Sequence, residues 1–269
     1  MKISKILFFI QLLFICSFPI RANESEERDT VSRPVTGVYG FGIGNRDLLA
    51  TYLSPLHYHG TVYSIDGYWR KALPFNPEHS VMSFRGEVEL SNLINPAKTY
   101  RMWGINAGFA WGMAWRTVLP SKVEFTAGGN VSLDGGAYYL MKNSNNPVQI
   151  MGRGAIGLTG SVAYPFKIGK LGMVIADNIE LPSIGLFFSP QYEESFYEIY
   201  LGNHEGLIHA GWWGNNFRLN NLLSLTFNFG RTAAMIGYRF NVDTQWANNL
   251  NTKILTHSFV IGIIPGGLK

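Results

Sequence analysis

The chain has 269 residues, 46% hydrophobic and 14% aromatic, with 30 Gly, 15% charged residues and a formal charge of +4 at pH 7. A single Cys provides no disulfide framework, and no run of Lys and Arg builds the basic face that nucleic acid requires, so no nucleic-acid partner is expected. Past the N-terminus the longest charge-free stretch, residues 48–65, is broken by Pro55 and Gly60 and contains His57 and His59; it cannot be a transmembrane helix, so any membrane span must be made of strands.

Residues 1–22 read as a secretory signal peptide. Lys2 and Lys5 precede a nearly continuous apolar stretch from Ile6 to Ile20, and Ala22 is a small residue before the cut. Its removal takes Lys2, Lys5 and Arg21 and no acid, so the charge of +4 becomes +1, and the pI of about 9.1 owes most to this segment. Ile15 occupies the place where a lipidated Cys needs a small neighbour, so Cys16 is not expected to carry a lipid. Residues 23–33 are polar and expected to be flexible, and residues 34–269 are expected to form one β-barrel domain.

From there on, apolar residues recur at every second position. In VMSFRGEVEL, Met82, Phe84, Val88 and Leu90 alternate with Ser83, Arg85, Glu87 and Glu89. In RMWGINAGFAWGMAWRT, residues 101–117, Trp103, Ile105, Ala107, Phe109, Trp111, Met113 and Trp115 share one parity, opposite a face rich in Gly and Ala that ends at Arg116. KVEFTAGGNVSL sets Phe125, Val131 and Leu133 against Lys122, Glu124, Thr126, Asn130 and Ser132. RLNNLLSLTFNFG sets Leu223, Leu225 and Phe227 against Arg218, Asn220, Ser224 and Thr226, and AMIGYRFN sets Ile236, Tyr238 and Phe240 against Gly237, Arg239 and Asn241. Strands are predicted near residues 35–44, 58–70, 80–92, 99–117, 122–141, 149–166, 171–189, 195–213, 217–230, 232–246 and 254–264, with another within 47–56, separated by Pro, Asn and Gly turn signals.

Side chains of a strand point alternately to its two faces. The runs exceed the roughly 5 to 6 residues usual in soluble strands and reach the 9 to 11 that a tilted strand needs to cross a bilayer. The pattern predicts an all-β fold, a single transmembrane antiparallel up-and-down barrel of about 10 to 12 strands in the bacterial outer membrane, its partner being outer-membrane lipid. Trp103, Phe109, Trp111, Trp115, Leu223, Leu225 and Phe227 are expected to face lipid. Arg85, Glu87, Glu89, Arg116, Lys122, Glu124, Arg218 and Arg239 are expected to form an ion-paired network in the lumen. Barrels of this size are filled by side chains, so structural filling is expected over an open pore, and surface roles would sit in loops such as Phe75–His79 or Gln191–Ser195. A narrow small-solute channel, a lipid-modifying barrel hydrolase and a soluble ligand-binding β protein are the alternatives.

At ATYLSPLHYHG, residues 50–60, the chain resembles a family of uncharacterised outer-membrane proteins of Bacteroides and related bacteria, a domain of unknown function. Thr51, Tyr52, Leu53, Ser54, Pro55, Leu56, Tyr58 and Gly60 carry the likeness, and Ala50 stands where that family has Asp. FFSPQYEESFYEIYLGN (187–203) and LSLTFNFGRTAAMIGYRFN (223–241) extend it over most of the chain. The resemblance implies an outer-membrane β-barrel and assigns no activity.

Motifs that carry chemistry elsewhere do not assemble here, so no catalytic residue, cofactor or metal site is expected. GRGAIG, residues 152–157, matches a dinucleotide-binding pattern, but the next residues, LTGSVAYPF, are strand-like and no helix supplies a phosphate-binding N-terminus. His57 and His59 share one strand face and lack an identifiable third metal ligand. Barrel esterases place His and Ser two apart on one strand, so that His can take the Ser proton. No His here has Ser two residues on, and only Ser189 or Ser195 could approach His204 from elsewhere.

Overall fold

The alternation of apolar and polar residues closes into a wall. The computed structural model describes residues 35–144, 146–191, 194–202 and 204–267; the expected signal peptide, residues 1–22, and the segment 23–33 lie outside the described residues. The strands are β1 (Thr36–Ala50), β2 (Ser54–Ala72), β3 (Ser80–Ile94), β4 (Arg101–Val118), β5 (Glu124–Leu140), β6 (Val148–Ile168), β7 (Leu171–Phe188), β8 (Ile208–Trp212), β9 (Asn216–Asn228), β10 (Thr232–Ala247) and β11 (Leu250–Pro265), with one short helix, α1 (Phe196–Tyr200), before β8. Every strand pairs antiparallel with its sequence neighbour except β8 and β9, which both pair with β7, and β1 pairs with both β2 and β11, which closes the sheet.

β8 and β9 share one place in the wall. β8 pairs with Ile184–Phe188 of β7 and β9 with Gly172–Glu180 of the same strand, so the closed barrel has ten strands. A register shift between Ile156 and Gly157 marks where β6 meets this irregular stretch. A Cβ at Gly157 would stand 2.5 Å from Leu181 O, so the close approach of β7 requires Gly there.

Inside and outside follow parity. On β4, Trp103, Phe109 and Trp115 are about half exposed and Trp111 partly so, while Met102 and Ala110 are buried. On β9, Leu223 is exposed and Leu225 and Phe227 partly so, with Arg218, Ser224 and Thr226 buried on the opposite face.

Three expectations differ from the structure. No separate strand lies within 47–56: β1 runs on to Ala50, Thr51, Tyr52 and Leu53 form the turn, and β2 opens at Ser54. Residues 195–213 are not one strand, because Ser195 caps α1 and only Ile208–Trp212 pairs with β7. Lys122 belongs to the β4–β5 turn, with φ of 68° and an exposed side chain, and makes no ion pair among the described residues. Its N–H donates to Leu119 O in the turn, two residues before Glu124 opens β5.

Candidate functional site

The candidate site is the barrel interior, which has two layers. The first is a belt of ions. Arg85 pairs with Glu180 at 2.9 Å and Glu87 at 3.2 Å, and Arg239 reaches Glu87 at 3.4 Å and Asp66 at 3.0 Å. Arg46 pairs with Glu89, Arg218 with Asp134, and Arg153 grips both oxygens of Asp243. Near the opposite end from the 189–207 connection, Glu124 holds Arg70 at 2.7 Å and Arg116 at 2.9 Å. These seven arginines meet seven carboxylates, so the belt carries no net charge, and buried charges survive only when paired in this way.

The second layer is apolar and lies at the end that bears the 189–207 connection. Leu48, Tyr52, Leu53, Tyr58, Leu93, Met102, Leu140, Met151, Leu250 and Ile254 form one buried cluster on the inner side of β1 to β6 and β11, and Phe196 of α1 packs against it. The TYLSPL segment builds part of this layer by folding inward. Thr51 exchanges hydrogen bonds with Asn251, Asn143 donates to Leu53 O at 2.7 Å, and the Tyr52 hydroxyl donates to Glu194 O at 2.9 Å. Burial pushes the Tyr52 hydroxyl above the usual tyrosine range. Ser54 accepts from the Leu56 N–H, while Pro55 and Leu56 are exposed past the turn. At Gly60 a Cβ would stand 2.2 Å from Asn92 O, where β2 and β3 lie tight together.

Tyr138 joins the layers. Fully buried, it takes hydrogen bonds at its hydroxyl from Arg46 at 3.2 Å and Asn106 at 3.1 Å, with its ring in the apolar cluster. Beneath it a polar cavity of about 60 Å³ is lined by Arg46, Glu89, Arg153, Arg218, Asn241 and Asp243. That is room for a few water molecules. Arg153 Nε and Asn241 Oδ1, a donor and an acceptor, are buried there without a protein partner.

Of the eight residues expected in the lumen network, Arg85, Glu87, Glu89, Arg116, Glu124, Arg218 and Arg239 make ion pairs there, and Lys122 does not. Sequence reasoning missed Arg46, Asp66, Arg70, Asp134, Arg153, Glu180 and Asp243. Parity was the available signal: Asp243 shares its face with Arg239 on β10, and Asp66 shares one with Arg70 on β2. The cross-lumen partners carry no such signal, since Arg153 and Asp243 stand 90 residues apart.

The other motifs resolve structurally. GRGAIG lies within β6, flanked by strand on both sides. His57 and His59 point outward and share the carboxylate of Asp47 on β1, at 2.8 and 2.6 Å. Among the described residues no group of three His, Cys, Asp or Glu is arranged to hold a metal ion. The Ser195 hydroxyl engages Glu198 in the cap of α1, the Ser189 hydroxyl faces Pro190 O, and neither hydrogen-bonds His204.

Among solved structures, the transport unit of the autotransporter AIDA-I from Escherichia coli is similar to this chain at 7% identity, with 96% of this chain and 97% of that chain covered and a TM-score of 0.46. No curated protein sequence matches. A family model described as a protein of unknown function, DUF3316, matches residues 6–266, nearly the whole chain, and the protein belongs to that family.

Proposed function

We propose that this protein is a non-enzymatic outer-membrane barrel with a closed lumen, which stabilises the wall and presents the 189–207 connection at the cell surface. The observation that carries this reading is the stacking of a charge-balanced ion belt beneath an apolar layer, with Tyr58, Leu93 and Tyr138 each at most 1% exposed. A pathway for solutes needs continuous polar space, and the apolar layer interrupts it. Outward Trp103, Phe109, Leu223 and their neighbours on the other strands supply the apolar face that lipid requires, and closure leaves no unpaired edge in hydrocarbon. Outer-membrane barrels have short periplasmic turns and longer external loops. Residues 169–170 and 229–231 connect strands at one end and 189–207 at the other, which favours placing α1 outside.

The polar cavity favours one second reading, a narrow small-solute channel that opens when the apolar layer moves. Two measurements separate these readings. The outer-membrane fraction is run on gels unheated and heated, where a closed barrel shifts on heating. Purified protein in planar bilayers is then tested for ion conductance. The closed-barrel reading expects a heat shift and no steady conductance, with conductance appearing in the Tyr58→Ala, Leu93→Ala double variant. Steady conductance of the unaltered protein would establish the channel instead.

A further inference from the structure

The outer wall at β7 and β9 carries a polar pair that the barrel itself does not need. Asp177 on β7 is exposed on the outer face, and its Oδ1 accepts a hydrogen bond from the side chain of Asn221 on β9 at 2.7 Å. Its surroundings are apolar: Ile175 and Ile179 flank it along the strand, and Val162 and Leu223 are its cross-strand partners. No ion pair forms at Asp177 among the described residues, unlike the carboxylates of the lumen. Across the barrel, the outer faces of β3 from Phe84 to Ile94, of β4 from Trp103 to Trp115 and of β5 from Phe125 to Tyr139 present no charged residue, and Arg101 stands only at the start of β4.

A carboxylate among aliphatic groups at lipid depth must find donors, and one amide N–H fills only one of its four acceptor sites. The Asn221 amide also lies 3.3 Å from Asn178 O, a strand carbonyl, so this second donor can be redirected at little loss. An acceptor and a donor side by side on adjacent strands are self-complementary. A two-fold rotation along the membrane normal sets each opposite its counterpart, so every contact occurs twice. Without a hydrophobic driving force inside lipid, such polar pairs act as the glue between membrane segments.

We propose that the outer face of β6, β7 and β9 binds a second copy of this chain, with Asn221 of each copy donating to Asp177 of the other. The inference rests on the outer-membrane reading above. Its test is Leu223→Cys in a Cys16→Ser background, treated with a short bis-maleimide in isolated outer membranes, with the heat shift read on the same samples. The expected result is a heat-modifiable protein that cross-links to twice its mass. Phe109→Cys, on the far wall, should stay monomeric, and adding Asp177→Ala or Asn221→Ala should cut the cross-linked fraction at least fivefold while the heat shift persists. A heat-modifiable Leu223→Cys protein that stays monomeric, or cross-links no better than Phe109→Cys, overturns the dimer and leaves the membrane reading intact. An adduct of another mass overturns the second copy as occupant. Absence of the protein from the membrane fraction overturns the membrane reading and the dimer together.

Discussion

Glu87 stands between two arginines, Arg85 and Arg239, and is the acid that ties two halves of the ion belt together. Replacing it by Gln keeps the shape and leaves Arg85 with Glu180 and Arg239 with Asp66, but puts the belt one negative charge short, a loss of about 3 kcal/mol, at the lower end for a broken buried pair. The urea midpoint of tryptophan fluorescence should fall accordingly, and an unchanged midpoint would mean that water already screens the belt. Parity gives a second contrast on β4. Phe109→Arg puts a charge where lipid is proposed and should cost about 2–4 kcal/mol. Asn106→Ser, on the inner face, removes one hydrogen bond to Tyr138 and should cost about 1 kcal/mol in the same assay. Equal costs would contradict the proposed orientation of the wall. At this scale the direction of a side chain is legible from its neighbours two residues away, whereas its partner is not. Arg46 meets Glu89 and Tyr138 only because closure brings β1, β3 and β5 around one axis.

Among the elements, α1 shows why alternation alone misleads. In SFYE, residues 195–198, Ser and Glu sit at capping-box spacing, and the Glu198 carboxylate accepts from the Ser195 N–H while the Ser195 hydroxyl accepts from the Glu198 N–H. The Phe, Tyr and Ile residues around them are strand-favouring types, which is why the segment reads as a strand. The capping bonds hold the Glu198 carboxyl below the usual glutamate range. Its folded pKa therefore lies below its unfolded one, so its contribution is complete above the unfolded pKa and is lost as pH falls through the folded one. Protease nicking of the 189–207 connection should stay constant from neutral pH into mild acid and rise only below the usual glutamate range. Glu198→Gln should abolish that rise, and a rise near neutral pH would implicate a different group. The long strands were legible because each repeats its pattern many times. The break between β8 and β9 was legible from Asn215 and Asn216, whose turn it is, whereas the sharing of β7 by these two strands was not, since it is set by the register of β7.

The molecule as a whole is a ten-strand wall around a filled interior, and its fold class was legible because one solvent on each side of the wall imposes one pattern on every strand. The interior was only half legible. The ion belt announces itself as charge at every second position, while the apolar layer draws on Leu48, Tyr58, Leu93, Met102, Leu140 and Leu250 from six strands, none conspicuous in its own segment. That composition also orders events during assembly. Leu250 and Ile254 belong to the last strand and Leu48 to the first, so the layer is complete only when β11 has zipped onto β1. A chain that stalls before this step leaves Tyr58 and Leu93 facing an open trough. The completed layer thus rewards correct closure specifically, and a nascent barrel missing its final strand would be marked by exposed tyrosines for quality-control factors to detect.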